Sequence, residues 1–206
     1  MSLEFKSRRL LLTAGIQSMS FVLIFFHGLN NPSGPEWDTF FWLMVLFSSI
    51  AGLSRSFLLN KSGLNVYLFQ LIRPNVFYLL RCISNFVYIF FLSLFTLLLL
   101  WLFYGFMPFA FLDILLILLI SSIGFSAIFT FSGAIASESN QAAVLLPLLS
   151  IPLLIPLIMV LFALCNKIIA NQSGIESYTL DLMLLLLLDV LYFLPGMFLF
   201  KHMWGE

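Results

Sequence analysis

The sequence predicts an all-α, polytopic membrane protein with six transmembrane helices, and three observations carry that prediction. Hydrophobic residues make up 62% of the 206-residue chain and charged residues only 9%, with a mean hydropathy of +1.12. That balance lies outside the range of soluble globular domains. The apolar residues fall into six runs close to the ~20 residues that cross a bilayer as a helix. The formal net charge is zero, so the informative feature is where the nine basic residues sit.

The first run, residues 10–26, follows a start carrying Lys6, Arg8 and Arg9 against Glu4. It is long enough to be a span and has no clear small-residue cleavage site, so no cleavable signal peptide is expected. Residues 27–38, with Asn30, Asn31, Pro32, Gly34 and Pro35, read as a turn-rich loop free of Lys and Arg. Spans two to six are expected at about 39–57, 77–103, 112–136, 142–165 and 179–200. The chain is thus expected to be one transmembrane domain over residues 1–206. The connection at 104–108 is again free of Lys and Arg, residues 137–141 form a short polar turn, and 166–178 form a polar segment.

An even number of spans puts both termini on one side of the membrane. Lys6, Arg8, Arg9, Arg55, Lys61, Arg73, Arg81 and Lys201 fall on that side, and only Lys167 on the other. The positive-inside rule makes the terminus side cytoplasmic.

Residues 55–81 hold four of those basic residues and no acidic one. Within them Leu64, Tyr67, Leu68, Leu71 and Ile72 keep the i, i+3, i+4, i+7, i+8 spacing of one helical face, with Asn65, Gln70 and Arg73 elsewhere on the wheel. Ser62 or Asn60 is a suitable cap, and Pro74 marks the end because proline disfavours helix at the residue before it. This predicts a short cytoplasmic amphipathic helix between spans two and three, lying on the membrane surface.

Span five carries Pro147, Pro152 and Pro156. Each removes a backbone hydrogen bond where no water can replace it, so neighbours or side chains such as Ser150 must satisfy the freed carbonyls. A hinge beside a pathway and a static kink for packing are both compatible with that pattern. In span four Ser122, Ser126, Thr130 and Ala134 recur every four residues, a stripe that serves close helix packing or, alternatively, lines a pathway. Asp189 falls among leucines in mid-span, where a carboxylate costs roughly 2.5–3.5 kcal/mol on insertion scales. It is expected to face protein, protonated or hydrogen-bonded, and is a functional candidate. Asp113 and Asp181 lie nearer span ends and are more easily solvated.

Cys82 and Cys165 are too far apart in sequence for a metal or redox motif and read as buried thiols. No nucleophile is paired with a base, so no catalytic constellation is visible and the chain is not expected to be an enzyme. No Walker-type phosphate loop occurs among the eleven glycines, so any nucleotide must be bound by another chain. Nothing in the sequence calls for nucleic acid.

The order of these features resembles the CcmB family, the permease subunit of the ABC-type haem exporter of cytochrome c maturation. The resemblance rests on WDTFFWLMVLFSSIAGLSRSF (37–57), IGFSAIFTFSGAIASESN (123–140) and LLSIPLLIPLIM (148–159), and covers spans two to five well and span six loosely. It implies an ABC-2-like permease in a bacterial inner membrane, paired with a cytoplasmic ABC ATPase and a separate haem-handling membrane protein. A homodimer is compatible with it.

On that footing residues 64–73 become a coupling helix, with Leu64, Asn65, Tyr67, Leu68, Gln70, Leu71 and Arg73 as the ATPase-coupling residues. Pro147, Pro152, Pro156 and Asp189 become hinge or pathway candidates. Haem is expected as substrate rather than as a bound cofactor. His27, at the outer end of span one, is a weak candidate for haem ligation, since a lone interfacial histidine is ordinarily just hydrated; the same holds for His202. Family members usually carry a longer amphipathic segment before span one than residues 1–9 supply; either the start is trimmed or misassigned or that element is shortened, which puts an ATPase contact there in doubt. An ABC-2 permease for lipid or drug, a non-conducting assembly subunit and a lipid-modifying membrane enzyme are the competing readings.

Overall fold

Six long helices account for nearly all of the described chain. The computed structural model describes residues 2–29, 32–59, 74–106, 110–137, 139, 141–170 and 175–203. The helices are α1 (Ser2–Gly28), α2 (Gly34–Leu59), α3 (Pro74–Tyr104), α4 (Phe111–Ser137), α5 (Ala142–Ile169) and α6 (Ile175–Met203). Five contain stretches long and apolar enough to span a bilayer: Gly34–Ser54, Asn75–Tyr104, Phe111–Ala136, Val144–Ile169 and Tyr178–Phe198. In α1 the apolar stretch is Gly15–Gly28. Among the described residues there is no strand. The amphipathic segment expected at 64–73 lies outside the described residues.

Helix α4 occupies the centre and packs against α2, α3, α5 and α6. Those four also touch in sequence around it, α2 on α5, α5 on α6, α6 on α3 and α3 on α2, which closes a ring; α1 lies outside the ring against α2 and α3. Helices alternate in direction. Tyr104 Oη, at the end of α3, donates to Leu29 O just past the end of α1 (2.9 Å), so these two run parallel. Tyr78 and Cys82, at the start of α3, pack with Ala134 near the end of α4. The start of α1 and the end of α6 therefore share one end of the bundle, called here the terminus end.

Local chemistry sets the helix ends. Helix α2 begins ahead of its apolar run because Ser33-Gly34-Pro35-Glu36 forms a capping box, in which the Ser33 N–H donates to Glu36 Oε2 (2.8 Å). Trp37 and Asp38, read from the sequence as loop, are consequently helical and fully buried. Helix α3 ends at Gly105, whose φ of 69° suits only a residue without Cβ, and whose N–H bonds Trp101 O (2.8 Å). Between α4 and α5 the chain turns within a few residues, where the Gln141 N–H donates to Ser139 Oγ (3.1 Å). Asn166 and Lys167, expected in a polar segment, complete the last turns of α5.

Helix α5 runs without interruption through its three prolines. Pro152 and Pro156 face outward and Pro147 is half-buried. Ser150 Oγ donates to Pro147 O (3.3 Å), three residues back. The carbonyls that the prolines leave without a donor are those four residues before each, at Ala143, Leu148 and Pro152. Ser150 therefore serves a different carbonyl from the three that its neighbours set free.

The core is aromatic where α2 meets α4. Trp42 lies nearly parallel to Phe125 (centroids 6.3 Å, 11°), and Phe41 meets Trp42 edge-on at 5.1 Å. Outward faces are leucine-rich throughout; on α6 they include Leu180, Leu187, Val190, Leu191 and Phe198. A contiguous apolar surface of this extent is compatible only with lipid or protein around it.

Candidate functional site

Lipid tails are as apolar as leucine, so apolar burial alone does not drive membrane helices together. Close packing and polar contacts decide where they meet. The buried polar groups consequently mark the places where the bundle is specified, and they fall at three levels.

At the end opposite the termini, Lys167 Nζ on α5 pairs with Asp181 Oδ2 on α6 at 2.6 Å. Lys167, the basic residue the charge pattern left alone on that side, therefore has a counter-ion, and Asp181 is buried rather than solvated. Near the same end Asp38, Trp42 and Cys165 group where α2 meets α5, all almost fully buried. Cys82 and Cys165 are both free thiols and both buried, as the sequence suggested, at opposite ends of the bundle.

At mid-depth Asp189 is 3% exposed, and neither carboxyl oxygen has a hydrogen-bond partner among the described residues. It sits where α4, α5 and α6 converge. A Cβ at Gly124 of α4 would collide with Asp189 Oδ1 and with Leu157 Cδ1 of α5, so the missing side chain of that glycine makes the space the carboxyl fills. Asp189 faces protein, as its cost in lipid demands.

Toward the terminus end, Asn85 Nδ2 on α3 donates to Thr130 Oγ1 on α4 at 2.8 Å, and Thr130 Oγ1 donates onward to Ser126 O at 2.6 Å. The small-residue stripe Ser122, Ser126, Thr130 and Ala134 is buried throughout. Ser122 and Ser126 bond carbonyls of their own helix, those of Leu118 (2.6 Å) and Ile123 (2.8 Å). Below this, Tyr78 Oη reaches Phe193 O on α6 (3.4 Å) and occupies the space where a Cβ of Gly196 would stand. Tyr88 fills the equivalent space over Gly52, which joins α3 to α2.

The other sequence candidates are spread widely. His27 is exposed in the last turn of α1, far in the chain from the polar levels of α4 and α6. Asp113 is exposed in the first turn of α4. Pro152 and Pro156 are exposed, away from the buried face of α5 that carries Leu157. Leu64, Asn65, Tyr67, Leu68, Gln70, Leu71 and Arg73 lie outside the described residues. Among the described residues no group of His, Cys, Asp and Glu is placed to hold a metal ion.

Sequence reasoning passed over Asp38, Asn85, Gly124 and Gly196. A signal existed for two of them. Asn85 is a lone amide inside a long apolar run, and Asp38 lies two residues past the capping-box pattern Ser33–Glu36; the glycines gave none, because their role depends on a side chain from another helix.

Comparison with curated proteins and with solved structures returns no match. The family model described as CcmB protein matches residues 38–202, a stretch that starts at the buried carboxyl of α2 and takes in Asn85, Gly124, Thr130 and Asp189, and on that match the chain belongs to the CcmB family.

Proposed function

We propose that this chain is the membrane permease subunit of an ABC-type complex for haem export or delivery in c-type cytochrome biogenesis, driven by a separate cytoplasmic ATPase. The observation that carries this reading is the family match over residues 38–202, in a protein whose described residues are membrane helices and their short connections. Haem is the substrate and ATP hydrolysis belongs to the partner, in keeping with a sequence that has no phosphate-binding loop. A haem-handling membrane protein of the same pathway receives or supplies the cargo, and the permease works as a homodimer.

The ATPase engages residues 64–73, where the sequence puts Asn65, Gln70 and Arg73 off the apolar stripe of Leu64, Tyr67, Leu68, Leu71 and Ile72. The helices on either side of this segment, α2 and α3, are held together by Tyr88 against Gly52, so a push on the segment acts on a packed pair rather than on one loose helix. The eight-to-one distribution of basic residues supports cytoplasmic termini in the inner membrane.

Co-purification tests the reading directly. The wild-type chain should bring down an ATPase whose hydrolysis depends on the complex, and a strain lacking the chain should lose its c-type cytochromes. Arg73→Glu, or Asn65→Ala with Gln70→Ala, should weaken both with normal protein levels in the membrane. An ATPase partner combined with undiminished cytochrome yield in the deletion strain would instead make this an ABC-2 permease for another substrate. Reporter fusions after Ser173 should read outside and those after Glu206 inside; the reverse would overturn the orientation.

A further inference from the structure

Helix α5 turns toward lipid backbone acceptors that its own chain does not serve. Pro152 and Pro156 have no N–H to give the carbonyls of Leu148 and Pro152, and Leu148, Pro152 and Pro156 are all exposed within the spanning stretch Val144–Ile169. A membrane helix repairs such gaps by a local change of winding, a serine or threonine side chain, water, or a neighbouring helix. Helix α5 contains no 3₁₀ or π turn, its Ser150 hydroxyl goes to Pro147 O, and hydrocarbon supplies no water. A helix from another chain is the remedy left.

A matching donor lies on α1. Gln17, in the apolar stretch Gly15–Gly28, is half-buried and has no hydrogen-bond partner among the described residues, whereas the nearby Ser20 hydroxyl is spent on Ile16 O at 2.9 Å. Helices α1 and α5 both pack on α2, so α2 and its flanks form one face with a donor on one side and acceptors on the other. Their depths agree. The Phe25 ring of α1 packs on Phe40 of α2 at 4.1 Å, and Gln17 lies eight residues, about 12 Å, from Phe25 toward the terminus end. Cys165 of α5 groups with Asp38 and Trp42, which bracket Phe40. The Pro152 carbonyl, aimed at Pro156, lies about 16 Å from Cys165 in the same direction. A glutamine side chain leans toward the start of its helix and covers the difference.

Shape agrees as well. Between α1 and α2 an apolar groove of about 200 Å³ is lined by Phe21, Ile24, Phe25, Phe40, Met44 and Phe47, and Ile24 stands two turns from Gln17 on the same face of α1. On α5 Val144, Leu148, Ile151, Ile155 and Met159 form an exposed row, the kind of ridge that packs into a groove of another helix pair. A groove along one edge of α2 and a ridge along the other are complementary to themselves under a two-fold axis.

We propose that two copies of this chain pair through α2 and its flanks, with Gln17 of the partner subunit donating its amide N–H to Pro152 O, and with the reciprocal bond formed across the axis. The α5 ridge of each copy seats in the α1–α2 groove of the other. This interface rests on the homodimer of the proposed function and on neither the cargo nor the ATPase.

Full-length chain in lipid vesicles provides the test. In a background carrying Cys82→Ala and Cys165→Ala, a mixture of Gln17→Cys chains and Ile155→Cys chains should form a disulfide-linked dimer on oxidation with copper phenanthroline, and neither chain alone should. A mixture of Gln17→Cys with Leu187→Cys, on the exposed face of α6, should form none. Linkage through Leu187→Cys in place of Ile155→Cys would overturn this interface and leave the homodimer standing, whereas single copies throughout, counted by single-molecule photobleaching, would overturn both. Gln17→Leu should lower the dimer fraction several-fold on dilution into excess lipid. Pro156→Ala restores an N–H to Pro152 O, so Gln17→Leu should cost little in that background. Equal losses in the two backgrounds would overturn the hydrogen bond.

Discussion

Asn85 and Thr130, 45 residues apart in sequence, form a side chain to side chain hydrogen bond of 2.8 Å that ties α3 to the central helix α4. Thr130 Oγ1 accepts from Asn85 and donates to Ser126 O, so the amide is joined through one hydroxyl to the backbone of α4. Interhelical hydrogen bonds in membrane proteins contribute on average about 0.6 kcal/mol and at most about 1.7. Asn85→Leu and Thr130→Val should each destabilise the bundle by about 1 kcal/mol. In unfolding from detergent micelles, the double variant should cost less than the sum of the two. Strict additivity would mean that the pair does not act as a unit.

The sequence made the number of helices and their membrane setting legible, because both depend on local composition. Six apolar runs need no tertiary knowledge. The extent of α2 was harder, since its start depends on Ser33 and Glu36 acting together rather than on hydropathy, and this is why Asp38 read as loop. The stripe at Ser122, Ser126, Thr130 and Ala134 was legible as a contact face, but not which helices it meets. Least legible were the three glycine sockets at Gly52, Gly124 and Gly196. Each is defined by a side chain arriving from another helix, Tyr88, Asp189 and Tyr78, and no periodicity in one segment encodes that arrival.

Gly124→Ala should be among the most damaging single-methyl changes in the bundle. The added Cβ meets both Asp189 Oδ1 and Leu157 Cδ1, and Leu157 is itself fully buried with little freedom to move. Overpacking of this kind typically costs about 1–3 kcal/mol. Asp189→Ala removes one of the two obstructions, so the double variant should recover part of the loss in detergent unfolding. If Gly124→Ala is neutral, α6 does not seat as closely on α4 as the structure describes.

The Lys167–Asp181 pair is half open on one side, with the lysine side chain 38% exposed and the aspartate 11%. Its worth is limited by solvent around the lysine, at about 0.5–1 kcal/mol. The consequence is asymmetric. Lys167→Met leaves a mostly buried carboxylate without its counter-ion, whereas Lys167→Met combined with Asp181→Asn removes the charge from both partners. The single variant should therefore be less stable than the double, measured as melting temperature in the same detergent. Equal values would mean that water already screens Asp181.

Tyr78 stands in the second turn of α3, directly after the segment proposed to meet the ATPase, and its hydroxyl fills the socket at Gly196 while reaching Phe193 O on α6. The tyrosine is fully buried and its ring lies 5.6 Å from that of Phe193, so the contact is packed on all sides. A displacement of the start of α3 is passed to α6 here, because a packed side chain in a socket cannot slide without moving one of its walls. Gly196→Ala closes the socket and should force the two helices apart at the terminus end. The expected result is normal recovery of the ATPase in pull-downs with a several-fold fall in cytochrome c yield, since the docking segment is untouched while its link to α6 is altered. Tyr78→Phe, which removes only the hydroxyl, should suppress part of that defect when combined with Gly196→Ala, because the atom nearest the new Cβ is gone while the ring carbon Cζ still crowds it. Loss of ATPase recovery in Gly196→Ala alone would place the defect in folding rather than transmission, and an unchanged cytochrome yield would show that α3 and α6 move independently.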